Sequence, residues 1–298
     1  MKKSSFLICV ILVLCCIFAT TLTACSDDGE TINVFRPNET EQAYLTFLDD
    51  FTDDLNTDVW NVHDELRRGG YWDKDQAFTK NGNLVLRTVE IDGKYYMGAI
   101  DTFGKLETHH GYYEARCILP KACGIWSAFW IMPPDMKDLD IATGGAEIDI
   151  MESPYYRPFL NAFRTDTYQC AVHVGNYDSS DPTMYKKKEN FVSSTSKTNI
   201  SGVPVTLYDG NWHTFGLDWT EDYYRFYYDR QLVFEVTDKS LVSSVDSYLF
   251  LSIEIGGHDG VASKPDFLFA NDVAENPEGT FPIDFLVDYV AIFSQRPF

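Results

Sequence analysis

Basic residues are scarce in this chain. Lys and Arg number 24 against 45 Asp and Glu, a formal net charge of −21. Such a surface repels nucleic acids and other polyanions at long range, so neutral substrates suit it better. Cysteine is also little used: of seven, Cys9, Cys15, Cys16 and Cys25 sit at the N-terminus, leaving Cys117, Cys123 and Cys170. Their odd number and lack of metal-type spacing argue against a zinc site. One disulfide with a spare thiol and three buried thiols are both compatible with them. No Gly-rich phosphate loop occurs, so no nucleotide or redox cofactor is implied. There is no internal repeat, no low-complexity tract and no long run of helical periodicity, which excludes solenoids and helical bundles.

What is present begins with an N-terminal address. Lys2 and Lys3 precede an almost unbroken apolar run from Phe6 to Phe18, the pattern of a secretory signal. Leu22-Thr23-Ala24-Cys25 resembles the lipobox of bacterial lipoproteins, in which cleavage before the cysteine leaves it lipid-modified. An ordinary signal peptide or an uncleaved anchor are the alternatives. On the lipobox reading residues 1–24 are removed, 25–42 form a flexible tether that starts with the polar stretch Ser-Asp-Asp-Gly-Glu, and 43–298 form one domain. The mature chain then loses only Lys2 and Lys3 and carries −23. It is expected on the bacterial cell envelope, on a membrane through lipid at Cys25, and monomeric.

Aromatic residues are abundant, with 21 Phe, 18 Tyr and 6 Trp. That exceeds what a core alone needs, and surplus Tyr and Trp suit clefts that stack on sugar rings. Short runs rich in Val, Ile, Tyr and Phe, bounded by Gly, Asn, Asp and Pro, predict strands at 83–88, 96–102, 111–119, 127–132, 146–152, 169–174, 212–219, 223–228, 231–236, 248–255 and 285–293. A tight hairpin is expected at Asp229-Arg230. Strands at this spacing indicate an all-β sandwich of two antiparallel sheets. The stretches 153–166, 179–206 and 256–282 read as loops that wall a cleft.

The most informative segment is Gly144–Ser153, "GGAEIDIMES". Side chains alternate along a strand, so Glu147 and Asp149 share a face while Ile148 and Ile150 take the other. Glu152, five places beyond Glu147, falls out of phase unless a one-residue bulge near Ile150-Met151 restores it. The outer Cα atoms would then be about 13 Å apart, so the carboxyl groups converge only on a concave sheet. Three acids held together repel one another at a cost in stability. A solvated strand face or a calcium ladder would explain them without catalysis. Glycoside hydrolysis, which needs two carboxylates flanking the scissile bond, explains them with it.

The hexad Glu-x-Asp-x-x-Glu in "EIDIMES" resembles the signature of glycoside hydrolase family 16, in the bulged, laminarinase-like form. "GYYEARCILPKACGIWSAFWIMP" is similar to the family's Gly-Tyr-x-Glu-x-Arg strand and Trp-x-Ala-x-Trp segment. "DELRRGGYW", "NGNLVLRT", "WHTFGLDWTEDYYRFYYD", "LFLSIEIGG" and "FLVDYVAIF" extend the likeness over about Phe47 to Phe293.

The resemblance implies a β-jelly-roll of the concanavalin A-like kind with an open cleft on its concave sheet. It implies retaining endo-hydrolysis of a β-linked chain, with Glu147 as nucleophile, Asp149 as its supporting carboxylate and Glu152 as acid/base. The substrate it points to first is a β-1,3 or mixed β-1,3/1,4 glucan. Relatives with the same hexad cut agar-type or poly-lactosamine chains, and a non-catalytic glycan-binding lipoprotein is the rival from another class.

For substrate binding the expected residues are Trp126 and Trp130, four apart on one face, with His173 touching the substrate or Glu152. Glu254, on the cleft side of its strand, reads as a sugar contact or as a solvated strand residue, and Arg67 and Arg68, on a loop framing one end of the cleft, as hydroxyl binders or as partners of local Asp and Glu. His109 and His110 read as a turn. No cofactor is required. The family's structural calcium, on the convex side, points to Asp288 by analogy.

Overall fold

The computed structural model describes residues 22–25, 31–34, 37–67, 70–122, 125–135, 141–155, 168–174, 190–197, 199–200, 202–255 and 281–298. Two sheets dominate them. An eight-stranded sheet runs in the spatial order Asn190–Lys197, Tyr168–Val174, Glu147–Tyr155, Ile125–Met132, Ser247–Ile255, Ala99–Asp101, Asn61–Val62, with Glu107–Thr108 paired onto Ser247–Ile255. It carries the three acids and is called the cleft sheet below. The other sheet has eleven strands, centred on Gly111–Ile118 and Ile283–Phe293. The fold is the all-β jelly-roll sandwich expected. Pairing is antiparallel except where Gly70–Trp72 runs parallel to Lys94–Met97.

The core lies between the sheets and follows from period-two alternation. Ile148, Leu249, Leu251 and Ile253 of the cleft sheet and Leu84, Leu86, Phe215, Leu217, Phe285 and Val287 of the outer sheet are all at most 2% exposed. Burying each contributes about 1.5–3 kcal/mol. Cys117 and Cys170 are buried in this core and are not bridged to each other; Cys123 lies outside the described residues.

Tight turns set the register of the outer sheet. Asn81-Gly82, Asp92-Gly93 and Asp229-Arg230 each join paired strands as two-residue loops with both φ positive, the type I′ geometry. Arg230, at φ 60°, has no glycine's freedom there. Its guanidinium supplies the compensation: it binds both oxygens of fully buried Glu114, at 3.0 and 2.9 Å, and Glu41 at 2.7 Å. The Tyr112 and Tyr289 hydroxyls donate to the same Glu114 carboxylate.

Glu41 corrects the expected domain boundary. Residues Glu39–Tyr44 form a helix that straddles the expected boundary between 42 and 43, opened by a reciprocal cap between Asn38 and Glu41. Glu41 is 4% exposed because it also receives Arg230. The fold therefore includes residues from Asn38 onward. Leu22–Cys25 pairs with Thr31–Val34 as a separate two-stranded ladder. Two further expectations change. Asn190–Lys197, within a stretch read as loop, is the edge strand of the cleft sheet. Glu65–Arg67 and Gly70–Trp72, also read as loop, are paired strands. Most of the remaining loop residues lie outside the described ones.

Replacing Arg230 by Met leaves Glu114 charged and buried without its cation. The unfolding free energy is expected to fall by about 3–5 kcal/mol in urea titrations, whereas Arg225→Met, which breaks an exposed pair with Glu235, is expected to cost under about 1 kcal/mol.

Candidate active site

The acidic strand carries the bulge that the phase of its carboxylates required. Asp149 pairs with Trp130 and Met151 with Phe129, so Ile150 is an extra residue between two consecutive partners. On the other side Asp149 pairs with Ala171 and Glu152 with Gln169, three steps against two. Ile150 and Met151 both point inward, each 0% exposed. The Tyr168 hydroxyl, from the neighbouring strand, donates to the Ile150 carbonyl, satisfying a group that the bulge takes out of the ladder.

With phase restored, Glu147, Asp149 and Glu152 line one cleft together with Arg67, Trp126, Ala128, Trp130, Ser252 and Glu254. Glu147 and Glu152 are half-buried, while Asp149 is 3% exposed. His173 sits opposite Glu147 in the register, and its Nε2 lies 2.9 Å from Asp149 Oδ2. Its Nε2 thus reaches the middle acid of the three. A carboxylate between two others is tolerable when an imidazole can share a proton with it. Glu147, Asp149 and His173 bring donor atoms within 4.8 Å of one another. A divalent cation held there would occupy the Glu147 carboxylate.

The tryptophans lie where expected. Trp126, Ala128 and Trp130 alternate along Ile125–Met132 on the cleft face. Trp126 is 8% exposed, and Trp130 stacks on Phe250 at 4.3 Å and donates from Nε1 to Ser252 Oγ at 3.2 Å. Glu254 is opposite Trp126 and is not a solvated strand residue: it is 5% exposed and bound by Arg67 Nε at 2.8 Å. Arg67 lies over the Trp72 ring at 4.5 Å. It therefore reaches the cleft from a strand and binds a neighbouring carboxylate. Arg68 lies outside the described residues. For Cys25 only the backbone path is described. His109 and His110 link Glu107–Thr108 to Gly111–Ile118 through a bend, with His110 at φ 58°.

One cluster went unread in the sequence. His63 Nε2 is 2.8 Å from Asp101 Oδ2, and Asn61 Nδ2 donates to Asp101 Oδ1 at 2.7 Å. The His63 ring stacks on Phe250 at 4.8 Å. Burial pushes the His63 imidazolium down, but hydrogen bonds to Asp101 and Glu65 outweigh it and raise the pKa above 6.5. For Asp101 burial works upward, and the bonds from His63 and Asn61 carry the net shift below 3.8. The alternation in Ser247–Ile255 could have revealed the neighbourhood, since Tyr248 and Phe250 share parity with Ser252 and Glu254.

Asp288 is buried, and its Oδ2 accepts from Arg116 Nη1 at 2.7 Å.

The family model described as glycosyl hydrolases family 16 matches residues 65–262. A beta-glucanase of Rhodothermus marinus is 26% identical over 235 residues, covering 74% of this chain and 70% of the relative. Glucan endo-1,3-beta-glucosidase A1 of Niallia circulans is 23% identical over 90% of this chain, which spans only 41% of that protein. Among solved structures, a family 16 protein of a Bacteroides ovatus mixed linkage glucan locus, in complex with a G4G4G3G product, superposes with TM-score 0.64. It is 24% identical, with 83% of this chain and 99% of that one covered, a likeness of fold.

Two substitutions test this construction. Tyr168→Phe strands the Ile150 carbonyl and is expected to cost about 1–3 kcal/mol by chemical unfolding. Asp101→Asn removes the charge of the buried partner of His63 and leaves exposed Glu65. Because the His63 pKa is raised, its contribution is complete below 6.5 and fades as pH rises through the raised value. The Asp101 contribution is complete above 3.8 and fades as pH falls through its lowered value. The stability gap between Asp101→Asn and the parent is therefore expected to be about 1–3 kcal/mol near pH 5.5 and smaller near pH 8.5.

Proposed function

Because the chain belongs to glycosyl hydrolases family 16 and is a glycoside hydrolase, we propose that it cleaves internal β-1,3 or mixed β-1,3/1,4 glucan linkages with retention. The observation that carries this reading is the bulge that puts Glu147, Asp149 and Glu152 on one face, in a cleft lined by Trp126 and Trp130. The tryptophans offer apolar faces to sugar rings, and the strongly acidic chain suits a neutral polysaccharide. The beta-glucanase and endo-1,3-beta-glucosidase named above support the choice of glucan. The lipobox-like Leu22–Cys25 supports a lipid-anchored position on the cell envelope.

In the first step the Glu147 carboxylate attacks the anomeric carbon from the face opposite the leaving sugar. The glycosidic C–O bond breaks, its electron pair goes to the departing oxygen, and Glu152 delivers a proton there. The product is a glycosyl ester of Glu147. In the second step Glu152 takes a proton from water, the water oxygen attacks the same carbon, and Glu147 leaves as carboxylate. Two inversions keep the β-configuration, which requires the two carboxyls to come within about 5–5.5 Å around the substrate. Asp149, between them and held by His173, orients Glu147 and keeps a fixed negative charge beside the developing positive charge on the sugar ring.

The test is product release by the domain from residue 26 onward on laminarin, barley β-glucan, agarose and a poly-lactosamine-bearing mucin. Oligosaccharides from a glucan, with the β-anomer appearing first by proton NMR, are expected. Glu147→Gln is expected to give no product, and Glu152→Gln to lose about 10²–10⁴-fold in rate. Release from agarose or mucin alone would overturn the glucan assignment, and an α-anomer appearing first would overturn retention.

A further inference from the structure

Phe103 is an aromatic side chain that the sandwich leaves half in solvent, at 50% exposure. It follows the cleft-sheet strand Ala99–Asp101 and packs edge-on against Tyr248 at 5.1 Å. Tyr248 has the parity of Phe250, Ser252 and Glu254 and so stands on the cleft face. The charges of Asp101 and Glu147 reach its phenol, which burial and those charges push up to about 12. Tyr248 lies 6.4 Å from Phe250, and Phe250 lies 4.3 Å from Trp130 beside Asp149. An unbroken aromatic series thus leads from the catalytic floor to an exposed ring.

The turn that presents Phe103 is pinned. Its N–H donates to Asp101 Oδ1 at 3.0 Å, and its carbonyl accepts from Asn61 Nδ2 at 2.8 Å. Lys105 Nζ closes the turn onto the carbonyls of Thr57 and Trp60, and Gly104 N–H donates to Glu107. A large apolar ring held out by this many bonds is not a loop tip in search of a core. It offers a preformed surface that loses little entropy when a ligand lands on it.

We propose that Phe103, with Tyr248 beneath it, is a further sugar-stacking platform of the cleft that takes the apolar face of a glucosyl unit remote from the cleaved bond. This rests on the glucan reading above. Phe103 lies three strands from the acidic strand, ~14 Å at ~4.8 Å per interstrand step. Only a ligand of several linked rings reaches from Glu147 to it, so the platform selects for chain length.

The experiment measures binding of laminarihexaose and laminaritriose to Glu147→Gln by calorimetry, with Phe103→Ala and Phe103→Trp each added to it. Hydrolysis of laminarin by the parent is measured alongside. Loss of the ring is expected to weaken hexaose binding about three- to tenfold, to leave triose binding unchanged, and to be reversed by Trp. Equal hexaose affinity with and without Phe103, equal weakening of both ligands, or no hexaose binding at all would each overturn the platform. A parent that cleaves laminarin while Phe103→Ala binds hexaose normally would sink the platform and leave the glucanase reading standing. A parent that cleaves no glucan would sink that reading instead.

Discussion

The alternation of side chains along a strand is the constraint on which the site depends. Glu147, Asp149 and Glu152 cannot share a face in a regular strand, and the out-of-phase one would be driven into the core among Ile148, Phe129 and Leu251. An ionised carboxylate there would cost far more than any local contact returns. The extra residue at Ile150 resolves the conflict by sending two consecutive apolar side chains inward. The same bulge bends the strand locally, and all three acids line one cleft. Tyr168 completes the arrangement by donating to the Ile150 carbonyl from the next strand. Core packing and catalytic geometry are two consequences of one inserted residue.

Once the acids share a face, their mutual repulsion has to be managed. The cleft sheet does this by giving each supporting carboxylate a cationic or titratable partner. Asp149 has His173, Glu254 has Arg67, and Asp101 has His63. These three acids are each at most 6% exposed, whereas Glu147 and Glu152 remain half-buried at the cleft surface. The division matches their chemistry. On the proposed mechanism, the acids that shape the field are held in place, and the two that would exchange a covalent bond or a proton with substrate keep access to it.

Much of this was legible in the sequence because it rests on local periodicity. The bulge followed from the five-residue gap between Glu147 and Glu152, and the hairpin at Asp229-Arg230 from the apolar runs on either side. What was not legible depends on partners far along the chain. Asn190–Lys197, a run with four Ser or Thr, reads as loop and becomes a strand by pairing with Tyr168–Val174. Glu41 looked like part of a polar tether because its partner Arg230 is 189 residues away. The same holds for Arg67, read as a sugar contact or as a partner of a local acid, whose partner Glu254 is 187 residues away. Phe103 was invisible for the opposite reason: in a Thr-Phe-Gly-Lys turn it resembles any loop aromatic until Tyr248 is seen beneath it.

The outer sheet uses buried charge for a different purpose. Glu114, fully enclosed by Tyr112, Tyr289 and Arg230, has no access to a ligand, and its network ends in the helix at Glu39–Tyr44. Replaced as a unit by apolar residues of similar volume, such a cluster could be about as stable. What it supplies instead is a specific docking address for the N-terminal helix on the sheet that backs the cleft. Tyr44 continues the link, since its carbonyl accepts from the backbone N–H of Ser294 just after the central strand Ile283–Phe293. That strand also pairs with Gly111–Ile118, which carries Glu114. The helix is therefore fastened to the same pair of strands whose inward residues share the core with Ile148, Ile150 and Met151. The buried charge thus serves the sheet behind the acids, while the paired charges of the cleft sheet serve the site itself.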